Sequence, residues 1–314
     1  MMKRPLLIRG MHGLGDNIRQ RAIVRQLLPQ FDVWLESSWV SVYHDLIGEG
    51  LKVIRKPTRL RTQTKNANRE AEAFSGQIAP IGAQIIQMGY PPAEVRRRGS
   101  ILAAMCAASG CDVATADFRL PVPAGWLARL TPFLRQWGYD GLRPIMVYRP
   151  LVDRPSDWTG CRARNPDHSA YATLYKSIRD RFFVVSVADL VPNIEWIVGE
   201  RIEADAQAHR GELEFETLAA LISMAGIVFC SPGFAAVLGQ AVGTPVACIF
   251  GGYERSAFFF SGANDAPVLG IDPINPCECF RHDHACRKTI NVPNARDRLI
   301  TFAADAAART AVAA

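Results

Sequence analysis

The chain has 314 residues, 49% hydrophobic and 21% charged, which suits two globular domains and excludes global disorder. Its net charge of +6 fits either a solvated basic surface or an anionic ligand such as a nucleoside diphosphate, a phosphorylated glycan or nucleic acid. No apolar run approaches the roughly 20 residues that span a bilayer.

The start, Met1-Met-Lys-Arg-Pro-Leu-Leu-Ile-Arg9, lacks a signal-peptide core, because Arg9 and a glycine turn interrupt it. A cytoplasmic location is therefore expected, and the eight cysteines read as thiols or ligands rather than as a disulfide framework. Pro5–Arg9 is a short apolar strand. Gly10-Met-His-Gly-Leu-Gly-Asp-Asn17 is a glycine-rich turn, and Ile18–Leu28 carries apolar residues at helical spacing, with Arg19, Arg21 and Arg25 elsewhere. Asp16 or Asn17 is placed to cap that helix. The glycine spacing is not G-x-G-x-x-G, so a dinucleotide cofactor site is rejected. Strands follow at Phe31–Glu36, Leu51–Ile54 and Ala83–Met88, and a small-residue helix at Ile101–Ala108. Arg59–Ala73 is polar and reads as a loop. Positive charge gathers at Arg55–Lys65 and Arg96–Arg98, with no helix-turn-helix, zinc-finger or RNP pattern beside it.

Gly138–Pro144 reads as a junction. Beyond it, strands are expected at Ile145–Tyr148, Phe182–Val187, Glu195–Val198, Ile227–Cys230 and Val246–Phe250. Helices fit Pro166–Asp180, Glu214–Ala225, Phe234–Val242 and Arg296–Val312. The stretch 226–252 is the most telling. Ile227–Cys230 has no alternation, so both its faces are buried, as in a parallel sheet covered by helices. Ser231, Pro232 and Gly233 then open a helix whose free N–H groups make an anion site at the strand's end. Ala235, Ala236, Gly239 and Ala241 let that helix lie close to the sheet. The simplest architecture is α/β: two Rossmann-like, doubly wound domains, 1–140 and 141–314, facing a central cleft. The terminal helix is free to pack back on the first domain.

With these segments placed, the chain resembles glycosyltransferase family 9, the ADP-heptose:lipopolysaccharide heptosyltransferase-like family of GT-B fold. Three stretches carry the resemblance: Gly13-Leu-Gly-Asp-Asn17 with its helix; Leu218–Ala225 with the unit ending Val242-Gly-Thr-Pro-Val-Ala-Cys-Ile-Phe-Gly251; and the cysteine tail Cys277-Glu-Cys279…Cys286. The resemblance implies an inverting, metal-independent transferase without a cofactor. It would move a heptose or other hexose-like sugar from a nucleoside-diphosphate donor in the second domain to a glycan or lipopolysaccharide-type hydroxyl bound by the first. Asp16 falls where the family's carboxylate base stands, and one carboxylate suffices to take the proton from an attacking hydroxyl. The alternative is that Asp16 only caps its helix. The absence of any Asp-x-Asp pair agrees with metal independence.

His12, Gly13, Gly15 and Asn17, in the same turn as Asp16, are the acceptor candidates; the alternative for His12 is that it only satisfies loop hydrogen bonds. Donor candidates are Arg149, Arg154, Glu195, Ser231, Gly233, Phe234 and Glu254: the departing diphosphate needs cations or helix N–H groups, and the carboxylates suit sugar or ribose hydroxyls. Against this stand surface ion pairs of the arginines with Asp153 or Asp157, and a solvated loop role for Glu254. Many family members carry Asp-Ser/Thr-Gly…His where this chain has Ser231-Pro-Gly-Phe-Ala-Ala-Val237, without the acid or the histidine, which leaves the donor sugar open. Cys277, Cys279 and Cys286, with His282 and His284 between, are structural thiols, a structural zinc site or a redox group; the spacing is not C-x-x-C. Cys230 and Cys248 read as core residues. Two other functions stay in view: transfer to protein or to hydroxylated DNA bases, and a non-catalytic scaffold binding sugar nucleotides or nucleic acid.

Overall fold

A computed structural model describes residues 3–56, 76, 78–155, 162–260 and 266–313, with side chains up to residue 309. The loop expected at 59–73 lies outside these residues. Contacts divide the chain into two compact units, the first running to Pro121 and the second from Val122.

The first unit contains β1 (Arg4–Arg9), α1 (Leu14–Leu27), β2 (Phe31–Ser37), α2 (His44–Gly48), β3 (Lys52–Arg55), β4 (Gln84–Gln87), α3 (Pro92–Arg98) and α4 (Ile101–Ser109). Its four strands form a parallel sheet in the order β3-β2-β1-β4. β1 pairs with β2 from Arg4↔Phe31 to Arg9↔Glu36. Leu6 and Ile8 bury on the sheet with Ile18, Ala22 and Ile23 of α1, the apolar set that the helical spacing marked.

Arg21 also lies in the interior, fully buried. It is tolerated because its guanidinium is satisfied. It makes two bonds to Asp45 (2.8 and 2.7 Å) and two to the Arg119 carbonyl (3.1 and 2.7 Å), and a further one reaches the Val42 carbonyl.

The second unit contains α5 (Ala124–Gln136), β5 (Ile145–Tyr148), β6 (Val152–Asp153), α6 (His168–Lys176), β7 (Phe183–Val187), β8 (Trp196–Ile197), β9 (Ala206–Ala208), α7 (Phe215–Met224), β10 (Ile227–Cys230), α8 (Phe234–Val242), β11 (Val246–Ile249), α9 (Ser256–Phe259), β12 (Val268–Ile271) and α10 (Val292–Ala313). Six strands form a parallel sheet in the order β12-β11-β10-β5-β7-β9; β6 and β8 make a separate two-residue antiparallel ribbon. β5, β7, β10 and β11 are buried along their whole length, as their continuous apolar runs require.

Gly239 is where α8 meets the sheet: a Cβ there would stand 2.5 Å from a Val246 methyl and 3.3 Å from one of Val228. One placement differs from the sequence reading. The helix Ala124–Gln136, inside the expected first domain, clusters with the second unit, because the Trp126 ring packs edge-on against Phe215 of α7 at 5.9 Å. The terminal helix α10 gives Ala295, Leu299, Ala303 and Ala306 to the second unit's core, beside Tyr171, Leu174 and Phe229.

In each sheet the strand order reverses once. β2 and β3 lie to one side of β1 and β4 to the other; β7 and β9 lie to one side of β5 and β10 to the other. Crossovers leave in opposite directions at such a point and open a crevice beyond the carboxyl ends of the two central strands, where α/β proteins bind ligands.

Candidate functional site

The crevice of the first unit is formed by the turn after β1 and the segment after β4. Its glycines are set by close approaches. A Cβ on Gly10 would meet the Glu36 carbonyl oxygen at 2.4 Å, and one on Gly13 would meet a carboxylate oxygen of Asp16 at 2.5 Å. Neither Asp16 nor Asn17 caps α1. The helix begins at Leu14 with Gly13 as its N-cap residue, Gly15 lies inside its first turn, and the Asn17 amide bonds the Gly13 carbonyl at 2.9 Å. Asp16 stands in the first turn, half-buried, where the helix dipole favours a carboxylate. Its Oδ1 accepts from the Tyr90 hydroxyl at 3.0 Å. Tyr90 follows β4, so the contact bridges the reversal point; no local sequence signal marked it.

Asn17, expected at the acceptor, is instead fully buried. Its Nδ2 donates to the carbonyls of Met11 and Gly13, both at 2.8 Å, and its Oδ1 accepts from Ser37 at 2.8 Å. The Tyr43 hydroxyl lies 3.0 Å from the same Oδ1, accepts from Gln20 at 2.9 Å, and is raised well above the usual phenol range by burial. Asn17 therefore holds the turn and has no face left for a substrate. The Lys56 ammonium bonds the Gly10 carbonyl, and burial lowers it from its ordinary value. His12 is half-buried, and its carbonyl accepts from the Trp39 indole at 3.3 Å.

The crevice of the second unit opens between the ends of β5 and β10. Arg149 follows β5, and its amide bonds the Phe229 carbonyl of β10 at 2.9 Å. Its carbonyl accepts from Tyr171 at 2.7 Å, and its Nη1 donates to the Val187 carbonyl at the end of β7 at 2.7 Å. The guanidinium lies 4.9 Å from the centre of the Phe234 ring at the start of α8. Arg149 is half-buried, burial lowers its pKa, and among the described residues no carboxylate forms an ion pair with it. Ser231 and Gly233 occupy the same turn; Gly233 is extended and is the N-cap residue of α8.

The other donor candidates divide. Arg154 and Glu195 pair with each other at 3.2 Å, and Glu195, almost wholly buried, also accepts from the Val191 amide at 3.0 Å. Asp153 takes Arg162 instead, at 2.8 Å, while Asp157 lies outside the described residues. Trp196, beside Glu195, is 44% exposed. Glu254 is not the solvated loop residue that its position after two glycines allowed. It is 2% exposed, and its Oε1 receives Arg164 Nε at 2.9 Å and Nη2 at 2.6 Å.

The sequence reading also missed a Ser186–His209 pair, 2.8 Å apart at the ends of β7 and β9. Burial, then the Arg149 charge, lowers His209 below the ordinary imidazole value. In the cysteine tail, Cys277, His284 and Cys286 bring their ligand atoms within 4.8 Å of one another. His282 turns instead to the Tyr253 hydroxyl, 3.3 Å away.

No protein-family model and no curated protein sequence matches the chain. Solved structures do match. The glycosyltransferase family 9 protein of Veillonella parvula superposes with a TM-score of 0.63 over 97% of this chain and 98% of its own, at 12% identity. The Escherichia coli ADP-heptose lipopolysaccharide heptosyltransferase II gives 0.54 over 96% and 99%, at 13% identity. TibC of enterotoxigenic E. coli, an iron-containing dodecameric glycosyltransferase, gives 0.61 over 100% and 77%, at 13% identity; its complex with ADP-D-β-D-heptose has also been solved. All three are glycosyltransferases, and the two-unit α/β architecture is the GT-B fold that they share. At these identities the likeness is one of fold. Among the described residues, no helix is long and apolar enough to cross a membrane.

Proposed function

We propose that the chain is a glycosyltransferase moving a sugar from a nucleoside-diphosphate donor to an acceptor hydroxyl, by a single inverting displacement that uses no metal in the transfer step. The observation that carries this reading is Arg149. A half-buried guanidinium with no carboxylate partner among the described residues, at the strand-order reversal and stacked on Phe234, is a costly arrangement unless an anion completes it. A diphosphate leaving group is such an anion: Arg149, with the N–H groups at the start of α8, would stabilise the charge that develops as the bond between the anomeric carbon and the phosphate oxygen breaks. Asp16, oriented by Tyr90, is the base; it takes the proton of the acceptor hydroxyl as that oxygen attacks the anomeric carbon. ADP-heptose, seen bound to TibC, is the first donor to try. A glycan or lipid-linked hydroxyl is the first acceptor class.

Calorimetric titration with ADP, UDP and GDP tests the donor site. One of them binds the wild-type chain, and Arg149→Gln weakens it roughly 10- to 100-fold, as expected for losing hydrogen bonds from a charged group worth about 1.5–3 kcal/mol. Asp16→Asn leaves that affinity in place and abolishes transfer. If none of the nucleotides binds folded protein, the donor site is wrong; if transfer survives in Asp16→Asn, the base is wrong.

A further inference from the structure

Ser186 and His209 stand at the carboxyl ends of two neighbouring strands, β7 and β9, and the transfer chemistry described above uses neither. Their side chains meet through Ser186 Oγ and His209 Nε2, 2.8 Å apart. The backbone around them is fixed. Tyr148 of β5, Ser186 and Gln207 follow one another across the sheet. One residue further on, Arg149 Nη1 donates to the Val187 carbonyl at 2.7 Å, and the Ala188 amide donates to the Ala208 carbonyl at 2.8 Å. The Leu190 amide then donates to the His209 carbonyl at 3.0 Å, and Asp189 bridges Arg210. An imidazole held at one nitrogen and through its own backbone loses little freedom when a ligand arrives.

Two other uses of the pair do not fit. Ser186 is 4% exposed, and among the described residues no carboxylate hydrogen-bonds the His209 ring, so the third group that orients a nucleophile's base is missing. Nor is His209 a second cation for the diphosphate. Burial, and then the Arg149 charge, lower it below the ordinary imidazole value, and Glu212 opposes them only in part, which leaves the ring neutral at pH 7. What is left is a half-buried, neutral imidazole whose Nδ1 makes no hydrogen bond to the described residues. If Ser186 donates to Nε2, Nδ1 carries the proton and donates; if Ser186 accepts, Nδ1 is bare and accepts. A hydroxyl group satisfies either tautomer, because it both donates and accepts. A phosphate oxygen satisfies only the first.

Position narrows the choice of hydroxyl. The proposed diphosphate contacts, Arg149 and the start of α8, lie where β5 meets β10. β9 is two strands from β5, about 10 Å at the usual strand spacing. A nucleoside carried on the diphosphate covers that span, and a bare diphosphate does not. The sugar end has to be handed to the acceptor, whereas the nucleoside leaves with the diphosphate and is the end free to stay on the strand ends. On the donor reading above, we infer that Ser186 and His209 form a ribose subsite: His209 Nδ1 hydrogen-bonds a ribose hydroxyl, Ser186 positions the ring, and the site selects ribonucleoside over deoxyribonucleoside diphosphates.

The test is calorimetric titration of the full chain at pH 7.5 with ADP, UDP and GDP, with the 2′-deoxy and 3′-deoxy analogues of the one that binds, and with inorganic pyrophosphate. Wild-type protein should bind one of the deoxy analogues roughly 3- to 10-fold more weakly than the parent nucleotide, a comparison that needs no variant to fold. His209→Leu should bind parent and analogue alike, and Ser186→Ala should narrow the difference. Both variants should keep the wild-type affinity for pyrophosphate, which a merely structural loss would lower. The ribose subsite is overturned if wild-type protein binds the parent and both analogues equally, or if the discrimination survives in His209→Leu. It is also overturned if His209→Leu weakens pyrophosphate as much as nucleotide, since the ring would then act at the anion. Those results leave the donor site standing; wild-type protein that binds neither nucleotide nor pyrophosphate overturns the donor site itself, and the subsite with it.

Discussion

Asn17 and Asp16 are neighbours with opposite duties. Asn17 spends every polar atom of its side chain on Met11, Gly13, Ser37 and Tyr43, while Asp16 meets a residue 74 positions away in the chain. The sequence marked the turn by its glycines after a short apolar strand, and gave Asp16 its role through the resemblance to glycosyltransferase family 9. It could not separate the two residues, since what distinguishes them is long-range partnership. For Glu254 it is the solvated-loop alternative that fails, and for the same reason: its burial depends on Arg164, 90 positions earlier. Buried polar groups of this kind make a direct prediction. Arg21→Met strips a fully buried guanidinium from Asp45 and from the carbonyls of Val42 and Arg119, and should lower unfolding free energy by about 3 kcal/mol or more in urea titration. A loss below about 1 kcal/mol would mean that the pocket hydrates or repacks at little cost.

Among the elements, β1, β5, β10 and β11 were legible because their apolar runs are continuous and bounded by turn residues. Ala206–Ala208 and Val268–Ile271 escaped notice: the first is two alanines around a glutamine, the second is short and interrupted by Gly270. The helix Ala124–Gln136 was hidden by Gly125 and by Pro132 in its interior. The contact of α8 with the sheet was read correctly from its small residues, and it supplies the prediction for this level. Gly239→Ala adds a methyl group that must displace Val246 or move the helix. Despite the gain in helix propensity, it should cost about 1–3 kcal/mol by the same urea titration and shift the Phe234 end of α8. An unchanged midpoint would show that the helix can slide without penalty.

For the molecule as a whole, His209 makes stability depend on pH. Burial and the Arg149 charge hold its folded-state pKa below the unfolded value of 6.5. The folded state therefore binds fewer protons than the unfolded one in that window. Its contribution is fully present above about pH 6.5 and is lost as pH falls through the folded-state value. Melting temperature should decline as pH falls below about 6.5, and His209→Gln should flatten that slope. His282, lowered by burial and then by Arg164, adds to the same trend and sets the part that remains in the variant. A slope that His209→Gln leaves unchanged would place the titration elsewhere.

The order in which the core of the second unit can close is written into its connectivity. Tyr171, Leu174, Ile227 and Phe229 are covered by Leu299, Ala303 and Ala306, which follow every strand of that sheet in the chain. On the ribosome, the strands emerge before the helix that shields them, and an aromatic surface waits in water until α10 arrives. Closure of this core therefore waits for α10, whatever the strands have already formed. During that delay a chaperone that holds apolar surface would find its substrate in the half-built sheet.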